Sequence, residues 1–324
     1  MIKMRRRGRL FTTLGHRLPA RWTLDGAASC RGHRAGDSPH NIRTVVRVIR
    51  QRWSDAPQTG GRVTEIVPIL MYHHVSPQRP LGFAKYTVHP DALRAQLRLL
   101  ARFGYRTIEL EAVVAAREGG PALPPKPIVL TFDDGFAEAI DLAAPILLEA
   151  GSRATFFLVA GLLGRQSDWL ERERGIKLPL VDAAGARALV ANGFQIGSHT
   201  LMHSHLPQLG PDEIARELAE SRRRLEAVLG IPVRHLAYPH GEHDATVRRV
   251  ARQSGYASAC TTDRGFVGRA SELYALPRII IDGRDRLIDF ACRLRTAQRL
   301  GDLARLGPIE LSRRVLAGPA AAVR

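Results

Sequence analysis

From residue 65 onward, the chain alternates short apolar runs with amphipathic stretches. Runs such as PIVLTF (127–132) and ATFFLV (154–159) are typical of buried strands. The clearest helix is predicted over 211–229, where one stripe is apolar and carries Ile214, Leu218, Leu225 and Leu229. Strands that alternate with helices pair in parallel through right-handed crossovers. The pattern therefore predicts an α/β barrel or a doubly wound sheet.

The strand at 127–132 leads directly into Asp133 and Asp134, and Gly135 follows. Neighbouring side chains on a strand point to opposite faces, so both carboxylates can enter one site only where the backbone turns. Two carboxylates at close range raise one another's pKa. The pair therefore predicts either a nearby cation or a carboxylate that collects a proton. An alternative is that both aspartates cap the following helix.

A second polar cluster, GSHTLMHSHL, occupies residues 197–206. His199 and His203 are four residues apart, a spacing that places two imidazoles on one side of a helical turn and suits a shared divalent ion. One aspartate would complete an open, catalytic type of site. An HxxxH pair alone is more often incidental, and His205 is a competing ligand.

TFDDG followed by SHTxxH resembles the NodB-homology polysaccharide deacetylases, carbohydrate esterase family 4, over roughly residues 65–283. ILMYHHV, AYPHG and LPRI are similar to the subgroup that deacetylates poly-N-acetylglucosamine. The resemblance implies an α/β fold, a distorted (β/α) barrel of about seven parallel strands. It also implies a hydrolase that removes N-acetyl groups with one divalent ion. Zinc is the first expectation, and cobalt, nickel or manganese are alternatives.

The resemblance also assigns roles in the reaction. It implies that Asp133 is the general base and that Asp134, His199 and His203 hold the metal. The general acid would be His73, at the end of the first strand. Its neighbour His74 should face the other way, because consecutive strand residues point to opposite sides.

The segment AYPHG corresponds to the RPPYG-like turn of the family. The backbone N–H of His240 would bind the oxyanion, and Tyr238 is a second substrate-binding candidate. A plain tight turn is the alternative for Tyr238 and Pro239. Ala237 stands where the family usually has an arginine that orients the base, and Arg278 is the candidate replacement.

Charge divides the chain into three parts. Residues 1–65 carry 14 Lys+Arg against 4 Asp+Glu, and 284–324 carry 9 against 4, so most of the net charge of +17 belongs to the flanks. We expect a basic, irregular extension at 1–62, the catalytic domain at 63–283, and a basic helical tail at 284–324. The expected partner is an N-acetylated glycan. The arginine-rich flanks would adhere weakly to anionic surfaces, without specific nucleic-acid binding, because few aromatics accompany them.

Two further expectations concern function and location. The same fold and metal could act on another amide or on an O-acetyl ester, and a basic-tailed binder of anionic polymers is the alternative from another class. No run approaches the roughly 18 apolar residues of a membrane span, and no apolar stretch typical of a signal peptide follows the charged start. The family resemblance nevertheless points to the cell envelope, or else the substrate is a cytoplasmic intermediate of glycan synthesis.

Overall fold

A computed structural model describes residues 66–299 and 302–303. The predicted extension at 1–62 lies outside the described residues, as does most of the predicted tail at 284–324. Both domain boundaries therefore stay predictions, and so does the adhesion of the basic flanks. No helix in the described part of the chain is long and apolar enough to cross a membrane.

A closed ring of seven parallel strands forms the centre of the molecule, which confirms the predicted (β/α) barrel. The ring strands are β1 Ile69–Tyr72, β5 Pro127–Phe132, β6 Thr155–Leu158, β7 Gln195–Ser198, β8 His235–Ala237, β9 Ser258–Arg264 and β10 Leu276–Ile280. Around the ring their order is β1, β10, β9, β8, β7, β6, β5 and back to β1.

Three short strands lie outside the ring. Strand β4 (Arg106–Ile108) pairs with the first half of β5, whereas β6 pairs with the second half. Strands β2 (His74–Val75) and β3 (Thr87–Val88) form a separate two-stranded sheet directly after β1. This small sheet fixes the backbone on either side of the loop that leads away from β1.

Helices surround the barrel. Their bounds are α1 Pro90–Arg102, α2 Leu110–Arg117, α3 Ala137–Glu149, α4 Asp168–Arg174, α5 Ala183–Ala191, α6 Pro211–Leu229, α7 Ala245–Gln253 and α8 Leu287–Thr296. The predicted stripe of α6 is buried, and the helix ends at Gly230 in the left-handed conformation, as a glycine there allows. Helix α3 continues through Pro145, where the sequence suggests a kink.

The side chains of β5 are buried throughout, as expected for a strand with helices outside and a filled barrel inside. Phe132 stacks on Tyr72 and Phe156 with ring centroids 5.0 and 4.9 Å apart. Helix α8 also belongs to the core, because Phe290 and Leu294 are fully buried in the same cluster of apolar side chains.

Candidate active site

The TFDDG segment turns sharply where β5 ends. Asp134 and Gly135 both have positive φ, 73° and 74°, and a side chain at Gly135 would meet Leu158 at 3.0 Å. Left-handed backbone at a non-glycine residue costs free energy and occurs mainly where the surroundings enforce it. This turn is what lets the two adjacent aspartates point into one site. The capping alternative fails, because Phe136 precedes α3 at the cap position and no side chain caps it.

The two histidines of the second motif follow β7 in a loop. The expected helical turn is wrong: residues 199–205 form no helix, and Thr200 and His203 have φ of 64° and 62°. The two imidazoles still converge, with ring centroids 4.9 Å apart, because the loop folds back on itself. The two imidazoles therefore lie together as predicted, but a folded-back loop brings them together and not a helical turn.

Asp134, His199 and His203 converge in a way that fits a metal ion. The Nε2 atoms of His199 and His203 lie 3.2 and 3.4 Å from Oδ1 of Asp134. His199 Nδ1 donates to the carbonyl oxygen of Ala237 at 2.8 Å, which leaves the Nε2 lone pair for a ligand. The donor set of two imidazoles and one carboxylate, all buried, is that of an open zinc-type site.

The charges of this cluster are strongly coupled. Burial alone would raise the pKa of Asp134, but hydrogen bonds from His199 and His203 hold it well below its usual range. Burial lowers the pKa of His203 to about 4. For His199 the burial effect is outweighed by Asp134 and Asp133, and its pKa is raised. Asp134 thus favours the protonated form of His199, whereas burial favours the neutral form of His203.

Asp133 has a different partner. Arg278 donates from both terminal nitrogens to its two carboxylate oxygens, at 2.8 and 2.7 Å, and both side chains are buried. Arg278 Nε also donates to the carbonyl of Thr261 at 2.8 Å, which fixes the guanidinium plane. Burial raises the pKa of Asp133, but the charges of Arg278 and His199 outweigh it and the net pKa is lowered. Arg278 thus contacts Asp133 directly, as expected of the candidate for the motif arginine's role, and the role itself stays a prediction.

The two early histidines separate as expected. His73 lines the same pocket as Asp133, and its Nδ1 is buried without a hydrogen-bond partner in the described structure. His74 points away, toward Thr87 Oγ1 at 3.2 Å and Glu138 at 3.3 Å. Burial lowers the pKa of His73, against the opposing charges of Asp134 and Asp133. Of the pair, His73 is the histidine with access to the reacting groups.

The AYPHG segment borders the pocket from the other side. Tyr238 is fully buried, and its hydroxyl donates to the carbonyl of Tyr274 at 3.0 Å, so only part of the residue faces the pocket. His240 lies in a 3₁₀ turn, Pro239–Gly241, with φ of 58°. Its ring lies edge-on to that of His203, 4.8 Å between centroids. Their substrate-binding roles remain predictions.

Two residues that sequence reasoning did not single out support the metal ligands. Glu217 of α6 accepts hydrogen bonds from the backbone of Leu201 and Met202, both at 3.0 Å, and so holds the loop between the two histidines. Trp169 of α4 stacks on His203, 4.4 Å between ring centroids. The sequence signal for Glu217 is a glutamate that falls on the mainly apolar stripe of α6. No spacing rule indicates Trp169.

One pocket of about 240 Å³ is lined by both aspartates, His73, the two histidines of the second motif, Trp169, Tyr238 and His240. Its inner wall carries both aspartates and the metal-ligand histidines, and its rim carries Tyr86, Glu173 and Arg174. Four of the six non-glycine residues with positive φ in the described chain lie at this site: Asp134, Thr200, His203 and His240. Such clustering of backbone strain is typical of functional sites.

Comparison with known proteins gives a consistent result. Residues 120–259 match the family model described as polysaccharide deacetylase. The chain is 26% identical over 215 residues to the polysaccharide-deacetylase-like protein YxkH of Bacillus subtilis (strain 168), covering 66% of this chain and 70% of that protein.

A second relative is the poly-beta-1,6-N-acetyl-D-glucosamine N-deacetylase of Escherichia coli (strain K12), at 25% identity over 244 residues. The match covers 65% of this chain but spans only 36% of the length of that protein. Among solved structures, the Streptococcus pyogenes deacetylase PplD in complex with acetate superimposes with a TM-score of 0.60 at 27% identity, covering 69% of this chain and 95% of PplD.

Proposed function

We propose that the chain, which matches the polysaccharide deacetylase family over residues 120–259, hydrolyses N-acetyl groups on the amino sugars of a polysaccharide. The observation that carries the proposal is the juxtaposition of two differently paired carboxylates. Asp133 is held bidentately by Arg278, while Asp134 faces two histidines in the same pocket. Asp133 is thereby positioned for proton transfer, and Asp134 is positioned for metal binding.

Asp134, His199 and His203 would hold one divalent ion, which we propose to be zinc, with cobalt, nickel or manganese as alternatives. When bound, the ion supplies Lewis-acid polarisation and makes a nucleophilic water available near neutral pH. A histidine binds a metal ion only through an unprotonated ring nitrogen, and the pKa of His199 is raised, so protons compete with the ion for this site. Metal affinity should therefore fall as the pH is lowered.

Asp133 takes the proton of the attacking water in this proposal. Its lowered pKa keeps it ionised, and the guanidinium of Arg278 fixes both oxygens so that the remaining lone pairs point in a defined direction. Arg278 is a positioning residue, because it touches Asp133 and not the reacting atoms. It would orient the base, as the motif arginine does in the family.

His73 would protonate the leaving amine. Its Nδ1 is free of protein partners, and it lines the pocket beside Asp133. Because burial lowers the pKa of His73, its protonated form gives up the proton readily to an amine nitrogen. The backbone N–H of His240 remains the proposed donor to the oxyanion, supported by the left-handed turn that brings this residue to the pocket.

The substrate that fits this proposal is a glycan that carries N-acetylglucosamine. The E. coli relative acts by name on poly-beta-1,6-N-acetyl-D-glucosamine, and the solved relative from S. pyogenes holds acetate, the product of such a reaction. A cell-envelope location follows as part of the same proposal.

Acetate release from oligomers of N-acetylglucosamine tests the proposal. Protein loaded with Zn²⁺ should release acetate from β-1,6- or β-1,4-linked oligomers, and chelation should abolish release until the metal is restored. Asp134→Asn should lose the catalytic metal and the activity. Release of acetate only from O-acetylated sugars would favour the ester alternative. Full activity after exhaustive chelation would overturn the proposed metal chemistry.

A further inference from the structure

Two cationic side chains converge on one aromatic ring at the rim of the pocket. Nζ of Lys85 lies 5.1 Å from the centroid of the Tyr86 ring, and Cζ of Arg174 lies 5.4 Å from it. Lys85 belongs to the loop between β2 and β3, whereas Arg174 is the last residue of α4. All three residues line the pocket. Two positive charges from separate segments therefore meet beside the pocket.

Neither cation has a partner of opposite charge in the protein. Among the described residues, no carboxylate forms an ion pair with Lys85 or Arg174, and neither side chain donates a hydrogen bond. Nearby Arg284, in contrast, is held by Asp282 at 2.6 Å. The face of the Tyr86 ring attracts cations but carries no net charge, so the two like charges still repel each other. An anion bound by both would remove that repulsion.

The backbone that carries Lys85 and Tyr86 is fixed from two sides. The N–H of His74 donates to the carbonyl oxygen of Tyr86 at 3.0 Å, and the N–H of Gly283 donates to that of Lys85 at 2.8 Å. Arg174 ends a helix whose inner face is buried. The segments that carry the two charges are therefore ordered before any ligand binds, which lowers the entropic cost of binding one.

The cations also lie close to the reacting groups. The ring of Tyr86 is 5.0 Å from that of His73, the proposed general acid, in an edge-on contact. An anionic group bound by Lys85 and Arg174 would therefore belong to the same sugar as the acetamido group or to the next sugar of the chain.

The acidic groups of the pocket are directed at other residues. Asp133 is paired with Arg278, and Asp134 faces the proposed metal-ligand histidines. Glu173 Oε1 lies 3.4 Å from Nε2 of His240. Lys85 and Arg174 are thus the charged groups of the pocket lining that have neither a hydrogen-bonding nor an ionic partner among the described residues.

We propose that the pocket selects an acidic glycan, in which the N-acetylated amino sugar lies next to a carboxylate or phosphate bound by Lys85 and Arg174. The inference rests on the proposed deacetylation and adds the charge class of its substrate. A guanidinium binds either anion through two parallel hydrogen bonds, and an ammonium acts as a point charge. Because the anionic group does not react, its binding lowers KM and leaves kcat nearly unchanged.

Two substrates that differ only in charge test the proposal. The disaccharide N-acetylglucosaminyl-N-acetylmuramic acid carries a carboxylate, and its carboxamide has the same shape without the charge. Zinc-loaded wild type should deacetylate the acid with a kcat/KM roughly 3–20-fold higher, since each exposed ion pair is worth up to about fivefold. The preference should lie in KM and shrink at high salt. N-acetylglucosamine 6-phosphate compared with N-acetylglucosamine shows whether phosphate is the favoured anion.

Variants assign the preference to the two cations. The ratio of acid to carboxamide kcat/KM should fall close to one in Lys85→Met/Arg174→Met, fall partly in each single variant, and be retained in Arg174→Lys. Arg172→Met is the matched control, because Arg172 is exposed on the same helix and does not line the pocket, and it should keep the wild-type ratio.

The outcomes separate this inference from the proposed function. Acetate release without preference for either anionic substrate overturns the acidic-glycan inference and leaves the deacetylase proposal standing. A preference that persists in the double variant overturns the assignment to Lys85 and Arg174. If no substrate releases acetate, the proposed function fails, and calorimetric affinities of zinc-loaded wild type for the acid and the carboxamide then decide the inference.

Discussion

Two adjacent buried carboxylates can both stay ionised here because each has its own cationic partner. Asp133 is paired with Arg278, and Asp134 with the imidazoles of His199 and His203. Without such partners, burial and mutual repulsion would raise the pKa of one of them. The partners of the two carboxylates therefore have two effects: they orient Asp133 and Asp134, and they keep both of them ionised in a buried site.

Removing Arg278 should be strongly destabilising. Arg278→Met leaves Asp133 buried and unpaired, so the free energy of unfolding should fall by about 3–5 kcal/mol. The double variant Asp133→Asn/Arg278→Met should recover part of that loss, since no buried charge then lacks a partner. Urea unfolding measures both effects. Arg187→Met, at an exposed position, is the control and should change stability little. Equal stability of Arg278→Met and Arg187→Met would contradict the argument.

The division of labour between Asp133 and His73 can be tested with two leaving groups. Asp133→Asn keeps the shape but accepts no proton, so turnover should drop by roughly 10²–10⁴ on an N-acetyl sugar and on an activated acetate ester. His73→Ala should lose heavily only on the N-acetyl sugar, because a phenolate leaves without an acid. Both variants should still bind metal. Equal losses of His73→Ala on the two substrates would remove it from the acid role.

At the scale of elements, the loop 199–205, which carries the proposed metal ligands His199 and His203, depends on a helix that contributes no ligand. The loop 199–205 forms no helix or strand, and Glu217 of α6 accepts from two of its backbone N–H groups. Ser204 Oγ donates to the other oxygen of Glu217 at 3.2 Å. Helix α6 thus fixes the left-handed residues that aim His203 at Asp134.

Glu217→Gln should therefore weaken metal binding without removing a ligand. The glutamine side chain has only one acceptor oxygen, and its amide nitrogen only donates, so it cannot accept hydrogen bonds at both positions as the carboxylate does. We therefore expect a loss of about 10–100-fold in Zn²⁺ affinity, as is usual for residues that orient metal ligands. Competition with a chelating dye measures the affinity. Glu220→Gln, on the same helix but paired with Arg224, should keep wild-type affinity. Equal affinities of the two variants would show that Glu217 does not position the loop.

At the scale of the whole molecule, the sequence predicted what is local and repetitive. The strand and helix pattern predicted the barrel, and the order of TFDDG and SHTxxH predicted the converging ligands. Arg278 could only be a candidate, since its contact with Asp133 joins residues 145 positions apart. Left-handed φ at Thr200 and His203 could not be read from spacing, because tertiary contacts impose it.

The limits of the folded unit can be tested by truncation. A chain that begins at Arg62 should fold and release acetate, because residues 1–62 show neither core periodicity nor a motif. A chain that ends at Gly283 should not fold, because it loses helix α8 with the buried Phe290 and Leu294. Burying each such side chain contributes about 1.5–3 kcal/mol, and domains are stable by only about 5–15 kcal/mol. Thermal unfolding and acetate release measure both. A folded, active chain ending at Gly283 would show that α8 is dispensable, and an insoluble chain beginning at Arg62 would show that the N-terminal segment belongs to the domain.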